Sequence, residues 1–190
     1  DTRLVYVCNP NNPTGSYFNQ AALMQILDGI PENVMLVYDE VYYHFATEFE
    51  MPDAIQCVLD KRNIVILHSF SKSYGLAGMR MGYAIAGTEI IEQLRKRKLT
   101  FQNDRISMAA MQAGLADKDF LEKVINNNTE QRAWLREQMT ILGIKFWPSQ
   151  SNFICFQAPN GKPASDIVSR LLPYGVMVRA AFYLPNHVRV

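Results

Sequence analysis

Apolar residues fall into short unbroken runs in the first half of this chain and into helical repeats in its middle, and the two patterns predict different elements. Leu4 to Cys8 is a continuous apolar run, which predicts a strand buried on both faces. Asn9 to Gly15 follows as a polar loop. Asn19 is placed to cap a helix in which Ala22, Leu23, Ile26, Leu27 and Ile30 recur at helical spacing, until Gly29 and Pro31 break it. Val34 to Tyr38 predicts a second buried strand, ending at Asp39-Glu40. After a less regular stretch through Pro52 and Cys57, Ile64 to Leu67 predicts a third, which runs directly into Ser69. Tyr83 to Ala86 is reached too quickly for a helical crossover and is expected to run antiparallel to its neighbours. Thr88 then caps a helix through Lys98.

Strands separated by helical connections predict a doubly wound, mostly parallel α/β sheet. From Asn103 to Leu142 the pattern is nearly all helical, with Phe120, Val124, Leu135, Met139 and Leu142 as its apolar face and Asn126-Asn127-Asn128 on its wet side. Past Gly143, strands are expected at Asn152 to Phe156, at Val176 to Arg179 and from Val188, with one helix from Ala164 to Leu172. That is a small α+β unit. The boundary is expected near Asp117, where Asp-Lys-Asp marks an exposed turn, so residues 1–117 form one domain and 118–190 a second, entered by the long helix.

Composition narrows the classes. With 190 residues, 48% of them apolar, the chain is long enough for a substantial core. Its net charge of +1 comes from interspersed signs, and the densest basic run, Arg95 to Lys98, reads as a solvated helical face. No basic stripe is interleaved with aromatics, so no nucleic-acid partner is expected. Cys8, Cys57 and Cys155 are widely spaced and odd in number, which fits a reducing cytoplasm. No stretch approaches a membrane span or a secretory leader, so no membrane partner is expected. The chain starts just ahead of one strand and stops inside another, as expected of a piece of a longer protein. His44, His68 and His187 lack metal-ligand spacing and are taken as local hydrogen-bonding residues. Cys8 and Cys155 lie in apolar runs, and no nucleophilic triad is evident.

In an open α/β sheet, ligands bind outside the carboxyl ends of parallel strands. If the first three strands are parallel, the Asn12 amide, the Asp39 carboxylate, the Tyr42 phenol and the Lys72 amine face one crevice. Each has a plainer reading: turn chemistry for Asn12, a cap or surface pair for Asp39, a core aromatic for Tyr42, a solvated lysine for Lys72. Jointly the plainer readings require several coincidences at one sheet edge. Lys72 also lies among hydroxyls and glycines, with Arg80 eight residues on, which suggests a reactive amine beside an anion-binding loop. Because Lys72 precedes Gly75 and Gly78, the loop is not a P-loop, and its glycine spacing is not the dinucleotide fingerprint.

Asn-Asn-Pro-Thr-Gly at 11–15, Asp-Glu-Val-Tyr at 39–42 and Ser-Phe-Ser-Lys at 69–72, with Arg80, resemble the motif set of the fold-type I pyridoxal-phosphate aminotransferases. Within that family the chain is most similar to the histidinol-phosphate aminotransferase branch. The resemblance implies a cytoplasmic, homodimeric enzyme of histidine biosynthesis that moves an amino group from a small-molecule donor to a 2-oxo acid acceptor. The fold it implies is the second half of a cofactor domain followed by most of a small domain. Lys72 would carry pyridoxal 5'-phosphate as a Schiff base and move the substrate proton; Asp39 would hold the pyridine nitrogen, and Asn12 and Tyr42 the ring oxygen. Ser69, Ser71 and Arg80 would bind the phosphate, and Arg179 and Arg189 the acidic group of the substrate. Thr100 to Arg105 departs from the Pro-Phe-Asn of the branch, as Ala180-Ala181 falls where its pattern varies. Other donors therefore stay open: aromatic or other amino acids, or the substrate of a threonine-phosphate-type decarboxylase. A ligand-sensing domain of a transcriptional regulator is the alternative from a different class.

Overall fold

The computed structural model describes residues 1–190. Strands β1 (Leu4–Cys8), β2 (Met35–Asp39), β3 (Ile64–Ser69) and β4 (Gly82–Ala86) form one sheet in that spatial order. β1, β2 and β3 are parallel, and β4 is antiparallel to β3. The antiparallel return follows from the short connection, which has no room for a crossover helix. Helices α1 (Gln20–Gly29) and α2 (Ala54–Leu59) cover one face. There Leu23, Leu27, Leu36, Tyr38, Ala54, Cys57, Ile64 and Ile66 form a buried cluster. Asn19 caps α1 as expected, its side chain accepting from the Ala22 amide at 3.1 Å.

β1 departs from the expected doubly buried strand. It is the edge of the sheet in this chain, and Leu4 and Tyr6 are 61% and 57% exposed. An apolar run specifies a strand that suits burial, but the strand order decides which faces are covered. On that open face Leu4, Met35 and Val37 line a cleft of about 790 Å³ with helix α3 (Thr88–Arg97). The cap of α3 is Gly87, not Thr88, which is the first helical residue; no side chain caps it.

Helices α4 (Arg105–Ala116) and α5 (Lys118–Ile141) meet at Asp117, whose side chain accepts from the Phe120 amide at 3.0 Å. The expected apolar face of α5 holds only in part. Met139 is buried, but Phe120 and Leu142 are 42% and 71% exposed. The side chain that α5 buries most deeply is charged: Arg132 is 3% exposed. Asn128 is half-buried, unlike Asn126 and Asn127 on the wet side.

A second, antiparallel sheet has the order β5 (Cys155–Gln157), β7 (His187–Arg189), β6 (Arg179–Ala180), flanked by α6 (Ala164–Leu171). Each of these short strands begins within three residues of its expected start, or closer. Met139, Ile154, Phe156, Ala164 and Val188 form its buried cluster.

Candidate functional site

The carboxyl ends of β1, β2 and β3 lie side by side, with Cys8 opposite Asp39 and Asp39 opposite Leu67. Their loops therefore open at one edge. The loop after β1 is held from below by Asn9, fully buried, which donates to the Tyr38 hydroxyl at 2.8 Å and to the Phe18 carbonyl at 2.9 Å. Above it Asn11 closes a turn by accepting from the Gly15 amide at 2.7 Å. Asn12 is thereby turned toward the Tyr42 hydroxyl, to which its amide donates at 3.3 Å.

Tyr42 follows β2 and is 8% exposed, and burial pushes its phenol above the ordinary value. The Lys72 amine lies 5.9 Å from the centre of the Tyr42 ring and is exposed on its other sides. Arg189, from the second sheet, donates to the Asn12 carbonyl oxygen at 2.7 Å across 177 positions of sequence. Hydrogen bonds thus join Asn12 to Tyr42 and Arg189, and the Lys72 amine lies within cation–π range of the Tyr42 ring, so four expected site residues come together.

Asp39 sits at the end of β2, where one carboxylate oxygen accepts from the Val41 amide at 3.0 Å and the other from the Tyr6 hydroxyl. The Cys8 thiol alongside is pushed up to about 11, by burial first and by the Asp39 charge second. Ser69 ends β3, and its hydroxyl accepts from the Ser71 amide at 3.0 Å. The loop that carries Lys72 is closed at its base by the Phe70 amide on the Met81 carbonyl, so Ser71 and Arg80 flank one closure. Arg80 adopts φ +53 and donates to the Ala77 carbonyl at 2.8 Å, its side chain exposed at the mouth. Arg179 pairs with Arg189 in register, and its guanidinium lies 5.2 Å from the Phe182 ring centre. It adjoins Arg189 along the strand pair, but its side chain makes no hydrogen bond to Asn12, Tyr42 or Lys72.

Several partners lay beyond sequence reasoning. Tyr6 reads only as part of an apolar run, yet it donates to Asp39. Phe153 and Phe182 pack beneath the Arg189 guanidinium at 4.9 and 6.0 Å. Behind the Lys72 loop, His68 is a hydrogen-bonding residue as expected, and only its partners are new: it bridges the Glu40 carboxylate at 2.7 Å and the Tyr83 hydroxyl at 2.8 Å. His44, also expected to hydrogen-bond, contacts the buried Ser73 hydroxyl at 2.9 Å, and its ring lies tilted by 32° against Tyr43. Alternation supplied the available signal, because Glu40 and His68 adjoin Asp39 and Ser69 but point to the opposite face. No group of three His, Cys, Asp or Glu side chains is placed to hold a metal ion.

The donor set fits a phosphorylated aromatic aldehyde: a carboxylate for a ring nitrogen, an amide and a phenol for a ring oxygen, an amine for a carbonyl carbon, and hydroxyls with a guanidinium for phosphate.

A family model described as "Aminotransferase class I and II" matches residues 1–190. The chain is 38% identical over 192 aligned positions to histidinol-phosphate aminotransferase 2 of Methylococcus capsulatus, covering all of this chain and 51% of that protein. It superposes on the histidinol-phosphate aminotransferase of Sinorhizobium meliloti, solved in complex with pyridoxal-5'-phosphate. There the TM-score is 0.87 at 33% identity, over 98% of this chain and 51% of that one. A mutant aspartate aminotransferase of Thermus thermophilus gives a TM-score of 0.86 at 26% identity, over 100% of this chain and 55% of that one. The chain therefore spans about half the length of the curated relatives it matches.

Proposed function

The chain belongs to the class I and II aminotransferase family, and from that premise we propose that the whole protein uses pyridoxal 5'-phosphate to transfer an amino group from a donor such as histidinol phosphate to a 2-oxo acid such as 2-oxoglutarate. The observation that carries the reading is the joining of Asn12, Tyr42, Lys72 and Arg189 at the carboxyl ends of the parallel strands. Likeness to relatives named as histidinol-phosphate aminotransferases supports that donor.

Asp39 would accept a charge-assisted hydrogen bond from the pyridine nitrogen, and Asn12 and Tyr42 would donate to the ring oxygen. Ser69, Ser71 and Arg80 would hold the phosphate, the hydroxyls giving direction and the guanidinium counter-charge. When bound, the cofactor supplies an electron sink for the pair left at the substrate's α-carbon. The Lys72 amine would attach the cofactor at rest and accept the α-carbon proton during turnover. Arg189, with Arg179 beside it, would orient the substrate's acidic group. A planar fork suits carboxylate and phosphate alike, so the donor is decided by assay.

We further propose that residues 1–117 belong to the cofactor domain and 118–190 to a small domain, a division that the two separate buried clusters support. In this reading the whole protein is a cytoplasmic homodimer whose other ligands are small molecules. No helix is long and apolar enough to cross a membrane.

A panel of amino donors given to the whole protein, followed by the cofactor's absorbance and by release of the 2-oxo product, tests the reading. Histidinol phosphate should give the fastest response. If the cofactor binds but no donor changes its spectrum, a ligand-sensing domain replaces the enzyme. Borohydride should fix the cofactor to Lys72, and Lys72→Ala should abolish that adduct. Fixation at another lysine would refute the assignment.

A further inference from the structure

Arg132 lies midway along α5, apart from every residue assigned above, and is 3% exposed. Burying a guanidinium is costly unless its donors are met. Here one terminal nitrogen donates to the Phe45 carbonyl at 2.8 Å and to the Ser151 carbonyl at 3.1 Å. The other donates to the Thr47 hydroxyl at 3.2 Å and approaches Glu48 at 3.5 Å. Nε has no partner. Desolvation accordingly lowers the guanidinium from its ordinary value, with Glu48 opposing.

Neighbours on the same face of α5 reach the same two segments. Asn128 donates to the Ser151 carbonyl at 3.4 Å, Thr129 meets the Thr47 hydroxyl at 3.2 Å, and Arg136 binds Glu48 at 2.7 Å. Both segments lead back to the candidate site. Phe45 ends the turn that starts at Tyr42, its amide on the Tyr42 carbonyl at 3.0 Å. Ser151 lies two residues before Phe153, whose carbonyl accepts from the Ser149 hydroxyl at 2.6 Å. The Phe153 ring meets Tyr42 edge-on at 5.2 Å and underlies Arg189 at 4.9 Å.

We propose that Arg132 is a positioning residue for recognition of the substrate's acidic group. By clamping the Phe45 and Ser151 carbonyls of two distant segments, it sets the Phe153 ring against which both Tyr42 and Arg189 pack. One terminal nitrogen serves both carbonyls while the other holds Thr47 and Glu48, so the planar fork meets four acceptors at once, which a lysine ammonium with three donors on a flexible stem does not. The role rests on the function proposed above, and it falls chiefly on acid binding: Arg189 lies on the Phe153 ring, and Lys72 and Asp39 make no contact with either clamped carbonyl, so attachment of the cofactor at Lys72 is left in place.

The test uses the whole protein loaded with pyridoxal phosphate. In Arg132→Lys, the Kd of succinate, a dicarboxylate that cannot transaminate, is measured by calorimetry beside the KM for 2-oxoglutarate. Both should rise about tenfold while kcat changes less than about threefold, the pattern of lost orientation in binding. Cofactor fixed by borohydride at Lys72 should stay stoichiometric. Arg136→Met, which removes the outer ion pair only, should change none of these. Unchanged succinate affinity in Arg132→Lys overturns the proposal, as does loss of fixed cofactor in step with loss of affinity, which would mark a merely structural role. Should that variant fail to fold, Thr47→Val decides, with a rise in KM of about twofold in favour and no change against. Absence of the Lys72 adduct in the unaltered protein would instead overturn the function itself, and this role with it.

Discussion

His44 illustrates how burial at one position becomes a property of the fold. Its ring lies 3.8 Å from Tyr43 and 5.3 Å from Tyr74, centre to centre, and its Nδ1 contacts Ser73. Burial, aided by His68, lowers its pKa from 6.5 to about 4. The unfolded chain therefore binds more protons than the folded one between those values, so the His44 contribution to stability is present above pH 6.5 and is lost as pH falls toward 4. Urea midpoints of the protein should drop from pH 7 to pH 4.5 more steeply than those of His44→Phe, which keeps an aromatic ring but cannot titrate. Parallel profiles would show that another group governs the slope. At this scale the sequence was legible where a residue's place along a strand fixes its place in the fold, as at Asp39, which ends β2, and Lys72, three residues past β3. It was silent where a plain residue acquires a role by contact, as Tyr6 does on Asp39.

Among the elements, the loop after β1 and the segment leading into β5 hold one another through a glycine. Gly15 has φ +74, and a Cβ there would lie 2.1 Å from the Ser149 hydroxyl. That hydroxyl cannot swing away freely, since it donates to the Phe153 carbonyl at 2.6 Å and accepts from the Ser151 amide at 3.1 Å. Gly15→Ala should cost about 3 kcal/mol through backbone strain and overpacking together. Urea denaturation measures it, and a cost below about 0.5 kcal/mol would show that the segment yields. Pattern identified the elements well because burial imposes a period on each. It misjudged β1 and α5 for a shared reason. Period reports which residues suit an apolar neighbour, whereas the neighbour itself is supplied by strand order at β1 and by two distant loops at α5.

For the whole molecule, the chain spans about half the length of its curated relatives and leaves the β1 edge and the cleft beside α3 open. The 190 residues alone should therefore bind pyridoxal phosphate weakly and turn nothing over, although Lys72 and its neighbours are present. Titrating the isolated chain with cofactor, beside the whole protein, checks this. Robust transamination by the isolated chain would show that these residues complete a site unaided.

The motifs at Asn11 to Gly15, Asp39 to Tyr42 and Ser69 to Lys72, spaced by strands and helices, identified the family from sequence alone. They could do so because parallel strands deliver their following loops to one edge whatever the loops contain. Tertiary structure alone decided that Arg189 reaches Asn12 across 177 positions, that Phe153 lies between Tyr42 and Arg189, and that a charged residue fills the buried face of α5. Those contacts join the two sheets, and local periodicity carries no information about where one folded unit meets another.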